Sequence, residues 1–223
     1  MPSLDAILYS YAKQNLPSLP LDYKWKFDAT VVSHSFKLTI NGQNWYEKTR
    51  ALKRGIANEW ISSPGLRIAL ADYAVRVWGG VKRNAATTIQ SYVQAVSQGH
   101  VPLTHKGIAS WSKVAAFSNP DLYAIFDARV SFSLNAIQML QSDGERWWFP
   151  HLAGQNKLLN ATWPLLKAHA TQKNWNRIES EKVYSTYIDL LKSVAQQLNV
   201  CIDDVEMLLF SKAEELARKI EMM

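Results

Sequence analysis

The chain has 223 residues, 48% of them hydrophobic, with a formal net charge of +6 and a pI near 9.3. Such a supply of apolar side chains supports one medium-sized domain, or one with a small appendage, and argues against disorder. The basic excess suits an anionic partner without demanding one. A single cysteine, Cys201, excludes an internal disulfide or a four-cysteine metal site and points to a reducing cytoplasm, with the thiol acting as a small buried apolar group. The segment Met1 to Gln14 carries Asp5 and lacks a basic start and a clean apolar run, so no signal peptide is expected. No stretch of about 18 residues stays uncharged and apolar, so no membrane span is expected.

In chain order, Leu4, Ile7, Leu8 and Tyr11 fall at helical spacing before Pro17 and Pro20, which predicts a short helix and a linker. The β-branched and aromatic run from Thr30 to Tyr46 predicts a β-hairpin, with Asn41-Gly42 as its turn. Trp45 to Trp60 reads as a mixed basic helix. Leu66, Leu70, Ala74 and Val77 form an apolar stripe that ends at Gly79-Gly80, and Ile89, Tyr92, Val93 and Val96 another that ends at Gly99. Two short helices should flank Ser118-Asn119-Pro120. A loop-rich stretch with Trp147, Trp148, Trp163 and Trp175 follows, and then two strong helices. Tyr184, Tyr187, Ile188, Leu191, Val194 and Leu198 line the first; Val205, Leu209, Ala213, Leu216 and Ile220 line the second, with Asp203 and Glu206 at its N-cap and N3 positions. The expected fold is mainly α-helical, with residues 1–46 a helix and β-hairpin element and residues 47–223 a helical domain.

Chemistry concentrates in Ser110-Trp111-Ser112-Lys113-Val114-Ala115-Ala116-Phe117 and the following Ala124-Ile125-Phe126-Asp127-Ala128-Arg129-Val130. Lys113 lies on an apolar helix anchored by Trp111, Val114 and Phe117. Asp127 is a natural N-cap whose carboxylate accepts from the amides of Arg129 or Val130, so the backbone aims it. A lysine attacks carbon only as the neutral amine, which burial and the positive end of a helix both favour. A nearby aspartate can take its proton or stabilise a developing cation.

These two runs resemble the catalytic signature of the helix-hairpin-helix DNA glycosylases, closest to the 8-oxoguanine glycosylase-like members. The resemblance covers roughly residues 78 to 140. It implies that Lys113 attacks the sugar to form a Schiff base and that Asp127 activates it and stabilises charge. The activity implied is excision of an oxidised or otherwise modified base from double-stranded DNA, with a strand-nicking lyase step in prospect; a monomer is expected.

Other candidates rest on composition and position. Lys82 and Arg83 beside Gly79-Gly80, together with Lys106, Ser112 and Arg129, are the candidate DNA contacts, although Arg129 suits a neighbouring carboxylate equally well. Arg50, Lys53 and Arg54 share a helix face, and a solvated face is the commoner meaning of such a cluster. Among the nine tryptophans, Trp147 and Trp148 are the candidates for a base pocket. The five histidines show no metal-ligand spacing, and neither a phosphate loop nor a dinucleotide fingerprint is present, so no metal and no cofactor are expected. The same residues allow a different reading, in which Lys113 is an ordinary solvated lysine and the chain a catalytically silent DNA-binding or protein-interaction module. An RNA-binding protein is a third, without a recognisable RNA motif to support it.

Overall fold

A computed structural model describes residues 2–101, 106–141 and 144–223. It is mainly helical, as expected, and none of its described helices is long and apolar enough to cross a membrane. Helix α1 (Leu4–Asn15) is capped by Ser3 and leads through a tight turn at Leu16–Ser18 into the single-turn α2 (Leu19–Asp22). Pro17 and Pro20 sit in the first turns of these short pieces, where a missing N–H costs nothing.

The expected hairpin is not formed. Residues 29–36 are helix α3 (Ala29–Phe36), begun by the Asp28 side chain on the Thr30 amide at 2.9 Å and ended by Lys37 in the left-handed region. Helix α4 (Trp45–Ser62) then begins where the second strand was expected. Its cap explains why: Asn44 Oδ1 accepts from the Glu47 amide at 2.9 Å while Glu47 reaches back to the Gln43 amide at 2.7 Å. This reciprocal cap captures Trp45 and Tyr46 for a helix and leaves Asn41-Gly42 as its approach.

A short α5 (Arg67–Asp72) runs into a π turn (Tyr73–Trp78), which displaces the apolar stripe by a residue. Leu70, Ala74, Val75 and Trp78 are buried, whereas Leu66 and Val77, both expected inside, are exposed. Helix α6 (Ala86–Ser97) buries Ile89, Val93 and Val96 and ends before Gly99 as expected. Helices α7 (Ile108–Ser118) and α8 (Ala128–Leu140) follow, joined by a hydrogen-bonded turn from Asn119 to Tyr123 and a stretch without regular structure.

The tryptophan-rich stretch is more ordered than predicted. Trp163 lies within α9 (Lys157–Gln172), which Asn156 caps and in which Pro164 occupies the exposed face. The β structure among the described residues is one short parallel pair, β1 (Trp147–Trp148) beside β2 (Asn176–Arg177). Helices α10 (Val183–Leu198) and α11 (Ile202–Glu221) carry the predicted apolar faces. Cys201 caps α11 in place of Asp203, and Asp204 returns the bond to the Cys201 amide at 2.9 Å. The cap therefore lies two residues earlier than expected. Asp203 and Glu206 are turned inward, and Cys201 is only partly buried.

Two cores result. The first gathers α1, α8, α9, α10 and α11, and the second gathers α3, α4, α5, the π turn and α6. Helix α7 belongs to both: Ile108 and Trp111 enter the first, Val114 and Phe117 the second. The following segment alternates in the same way, with Ala124 and Phe126 in the first core and Ile125 in the second. Lys113 and Asp127 thus lie along the seam between the cores.

Candidate functional site at the seam between two cores

The backbone leading to Asp127 is held from both sides. Ser112 Oγ accepts from the Phe126 amide at 3.0 Å, while Tyr184 and Tyr187 on α10 donate their hydroxyls to the Ala124 and Ile125 carbonyls at 2.9 and 2.7 Å. Asp127 then caps α8 as the sequence predicted, its Oδ1 accepting from both Arg129 N at 2.9 Å and Val130 N at 3.1 Å. Both cap bonds end on one oxygen, and Oδ2 makes neither.

Lys113 is 4% exposed, so it is not a solvated helix lysine. Its methylenes lie against Gly79, and its Nζ donates to the Ala109 carbonyl at 2.6 Å, one turn back along α7. Among the described residues it forms no ion pair within 4 Å. Burial pushes its pKa below the ordinary lysine value, and the negative charges of Asp127 and Glu206 oppose that shift.

Glu206 was read from the sequence as part of a cap, and Lys53 as part of a solvated basic face. Instead their side chains meet in a buried ion pair between α4 and α11, 1% and 2% exposed. Burial pushes the Glu206 carboxyl up to about 7, and the Lys53 ammonium opposes this. The signal in the sequence was a pair of carboxylates, Asp203 and Glu206, inside the apolar run of α11, since buried charge requires a partner. Arg50 and Arg54, the other members of the basic cluster, pair with Asp204 at 3.5 Å and Asp121 at 2.6 Å.

The predicted DNA contacts divide. Lys82 and Arg83 are exposed in the turn after Gly80, and Lys106 is exposed just before α7. Asn84 donates to Ser110 Oγ at 2.7 Å, which ties the first of these turns to the N-terminus of α7. Gly107, in the left-handed region, is the N-cap residue of that helix. Ser112 is fully buried and bonded to Phe126, so it clamps the chain and offers no surface for a phosphate. Arg129 takes the carboxylate of its two predicted options, bonding Glu214 at 2.6 Å with its guanidinium 5.0 Å from the Phe210 ring centroid.

Trp147 and Trp148 are built into a different place. The amides of Gln138 and Asn135 on α8 bond the backbone of Trp147 and Phe149 as a neighbouring strand would. Trp148 meets Trp163 and Trp175 edge-on, and Trp147 lines a cavity of about 680 Å3 bordered by Asp5, Glu145, Arg177 and Asp189. Neither Lys113 nor Asp127 lines that cavity.

An aromatic cluster that the sequence candidates omit adjoins Gly79, the residue against which the Lys113 methylenes lie. Trp78 precedes Gly79 and meets Phe117 at 5.0 Å and Trp25 at 5.8 Å; Trp25 in turn meets Phe210 at 5.4 Å. The indole N–H groups of Trp25 and Trp78 are buried and have no hydrogen-bond partner among the described residues. A residue such as Trp25, in a linker between short helices, carries no periodic signal that would mark it.

Cys201, Asp203 and Asp204 bring metal-ligand atoms within 4.8 Å of one another. The place of a cation there is taken by Arg50, whose Nε lies 4.0 Å from Asp203 and 3.5 Å from Asp204, and whose guanidinium also reaches Cys201 Sγ at 3.5 Å. No protein-family model, curated protein or solved structure matches the chain.

Proposed function

We propose that the protein is a DNA glycosylase of the helix-hairpin-helix type, which takes a damaged or modified base out of duplex DNA and cleaves its bond to the sugar. The observation that carries this reading is Lys113: a buried amine, hydrogen-bonded to a carbonyl, its pKa lowered by burial, within the electrostatic reach of Asp127, a carboxylate fixed by backbone amides. Ordinary lysines remain in water or, like Lys53, are buried with a carboxylate partner; a buried amine without such an ion pair points to a functional role.

In the proposed reaction the glycosidic bond breaks with its electron pair leaving on the base, which takes up a proton. The Lys113 nitrogen forms a bond to the sugar C1′ and gives its proton to Asp127. Asp127 returns that proton to the ring oxygen as the C1′–O4′ bond breaks and a Schiff base forms, and loss of a C2′ proton to solvent with departure of the 3′ phosphate then nicks the strand. Asp127 also offsets the positive charge that grows on the sugar as the base departs.

We assign the wall that meets the extruded base to Trp25, Trp78 and Phe210 rather than to Trp147 and Trp148. The two unpartnered indole N–H groups are donors that ring nitrogens or carbonyl oxygens of a base would satisfy. Lys82, Arg83 and Lys106, around the start of α7, supply the charge for the phosphate backbone.

The test is release of free base from duplex oligonucleotides carrying oxidised, alkylated and hypermodified bases. Release by the wild-type chain, abolished in Asp127→Asn, is the expected result. Duplex binding without release of any base would leave a DNA-binding module instead.

A further inference from the structure

We propose that Gly79 is a positioning residue for Lys113, its bare Cα forming the wall along which the lysine chain is held; the catalytic consequence rests on the reading of Lys113 as the nucleophile. The backbone at Gly79 has φ −84° and ψ −8°, which any residue can adopt, so its conformation does not ask for glycine. Neighbouring Gly80 differs: its φ is +67° and the space around it is open. At Gly79 the demand is for room. A Cβ there would fall 2.7 Å from both Cδ and Cε of Lys113 and 2.8 Å from the Ala74 carbonyl oxygen.

The π turn delivers Gly79 to this spot. Gly79 N bonds Ala74 O at 3.1 Å and Val81 N bonds Val75 O at 3.0 Å, longer loops than an α-helix closes. The widened turn seats Trp78 on Phe117 and lays the following glycine against the lysine one helical turn earlier on α7. With the methylenes confined there, the amine is directed to the Ala109 carbonyl. The charged groups it feels are Asp127 and Glu206, the latter paired with Lys53. Any side chain at position 79 would turn the lysine out of this slot.

The test is made on the full chain with lysines carrying 13C at Cε, the Lys113 signal being assigned by its loss in Lys113→Met. In the wild type this signal should titrate below the ordinary lysine range. In Gly79→Ala it should shift and titrate closer to that range, and an unchanged signal with an unchanged midpoint overturns the proposal. If Gly79→Ala does not fold, the double variant Gly79→Ala/Lys113→Ala decides. Recovery of the fold shows that the lysine was in the way, and continued failure assigns the glycine to the Ala74 carbonyl and overturns the proposal. On duplexes with an abasic site, Gly79→Ala should form the borohydride-trapped adduct roughly a hundredfold more slowly, the cost of misplacing a reacting group by about an ångström. Its affinity for the duplex should stay within about twofold. A wild-type chain that forms no adduct would count against the nucleophile, while the titration would still decide the role of Gly79.

Discussion

Ser112 Oγ accepts a hydrogen bond from the Phe126 amide at 3.0 Å, so the residue before Lys113 is tied to the residue before Asp127. Both ends are buried, and the hydroxyl is the direct link between α7 and the segment that ends in the α8 cap. Ser112→Ala leaves the Phe126 amide without this acceptor and should cost about 1–3 kcal/mol, the penalty of an unsatisfied buried donor. Urea unfolding checks the stability loss, and base release by the folded fraction should fall as well.

Asp127 combines capping with the proposed chemistry, and two substitutions separate the roles. Asparagine caps as well as aspartate, so Asp127→Asn should unfold within about 0.5 kcal/mol of the wild type yet release no base. Asp127→Ala should lose base release and, in addition, about 1 kcal/mol of stability. Equal stability of the alanine variant would show that the cap bonds contribute nothing.

The Lys53–Glu206 pair is buried on both sides, so removing one partner strands the other charge. Lys53→Met should cost about 3–5 kcal/mol, and Lys53→Met/Glu206→Leu should recover most of it, because two apolar side chains need no partner. Denaturant midpoints of the single and double variants measure this.

Glu206 also sets a pH dependence. Its folded-state carboxyl is raised from 4.5 to about 7, so the folded state binds the proton more tightly than the unfolded chain. The stability this contributes is complete below the unfolded value and is lost as pH rises through about 7. Relative to Glu206→Gln, the wild type should therefore lose stability between about pH 4.5 and 7. A parallel pair of stability curves across that window would contradict the assignment.

Lys113 acts in the opposite sense. Its folded pKa lies below the ordinary 10.5, so its stability contribution is complete above that value and is lost as pH falls through the folded pKa. Lys113→Met removes the cost of burying a charged amine and should be more stable than the wild type at neutral pH. Thermal unfolding at pH 7 and pH 10 checks both the sign and its decrease at the higher pH.

The features legible in the sequence were those decided locally. The Asp127 cap depends on its own two following amides, and α10 and α11 declare themselves through apolar periodicity. The hairpin failed because Asn41-Gly42 is a strong turn signal, yet the Asn44–Glu47 cap a few residues on claims the same chain for a helix. The π turn, invisible to a fixed helical period, moved Val77 outward and brought Gly79 to Lys113. The site was legible only in part, because burial of a charge is a tertiary property. Lys53 looks like Arg50 and Arg54 until α11 is packed on α4 and Glu206 faces it.

The most direct test of Lys113 as the nucleophile is sodium borohydride trapping on duplex DNA containing an abasic site, followed by peptide mapping of the adduct. The expected result is one covalent protein–DNA species with the sugar on Lys113, formed with a pH midpoint below that of an ordinary lysine and absent in Lys113→Gln. An adduct mapped to another residue, or none formed by the folded wild-type chain bound to that duplex, would contradict it.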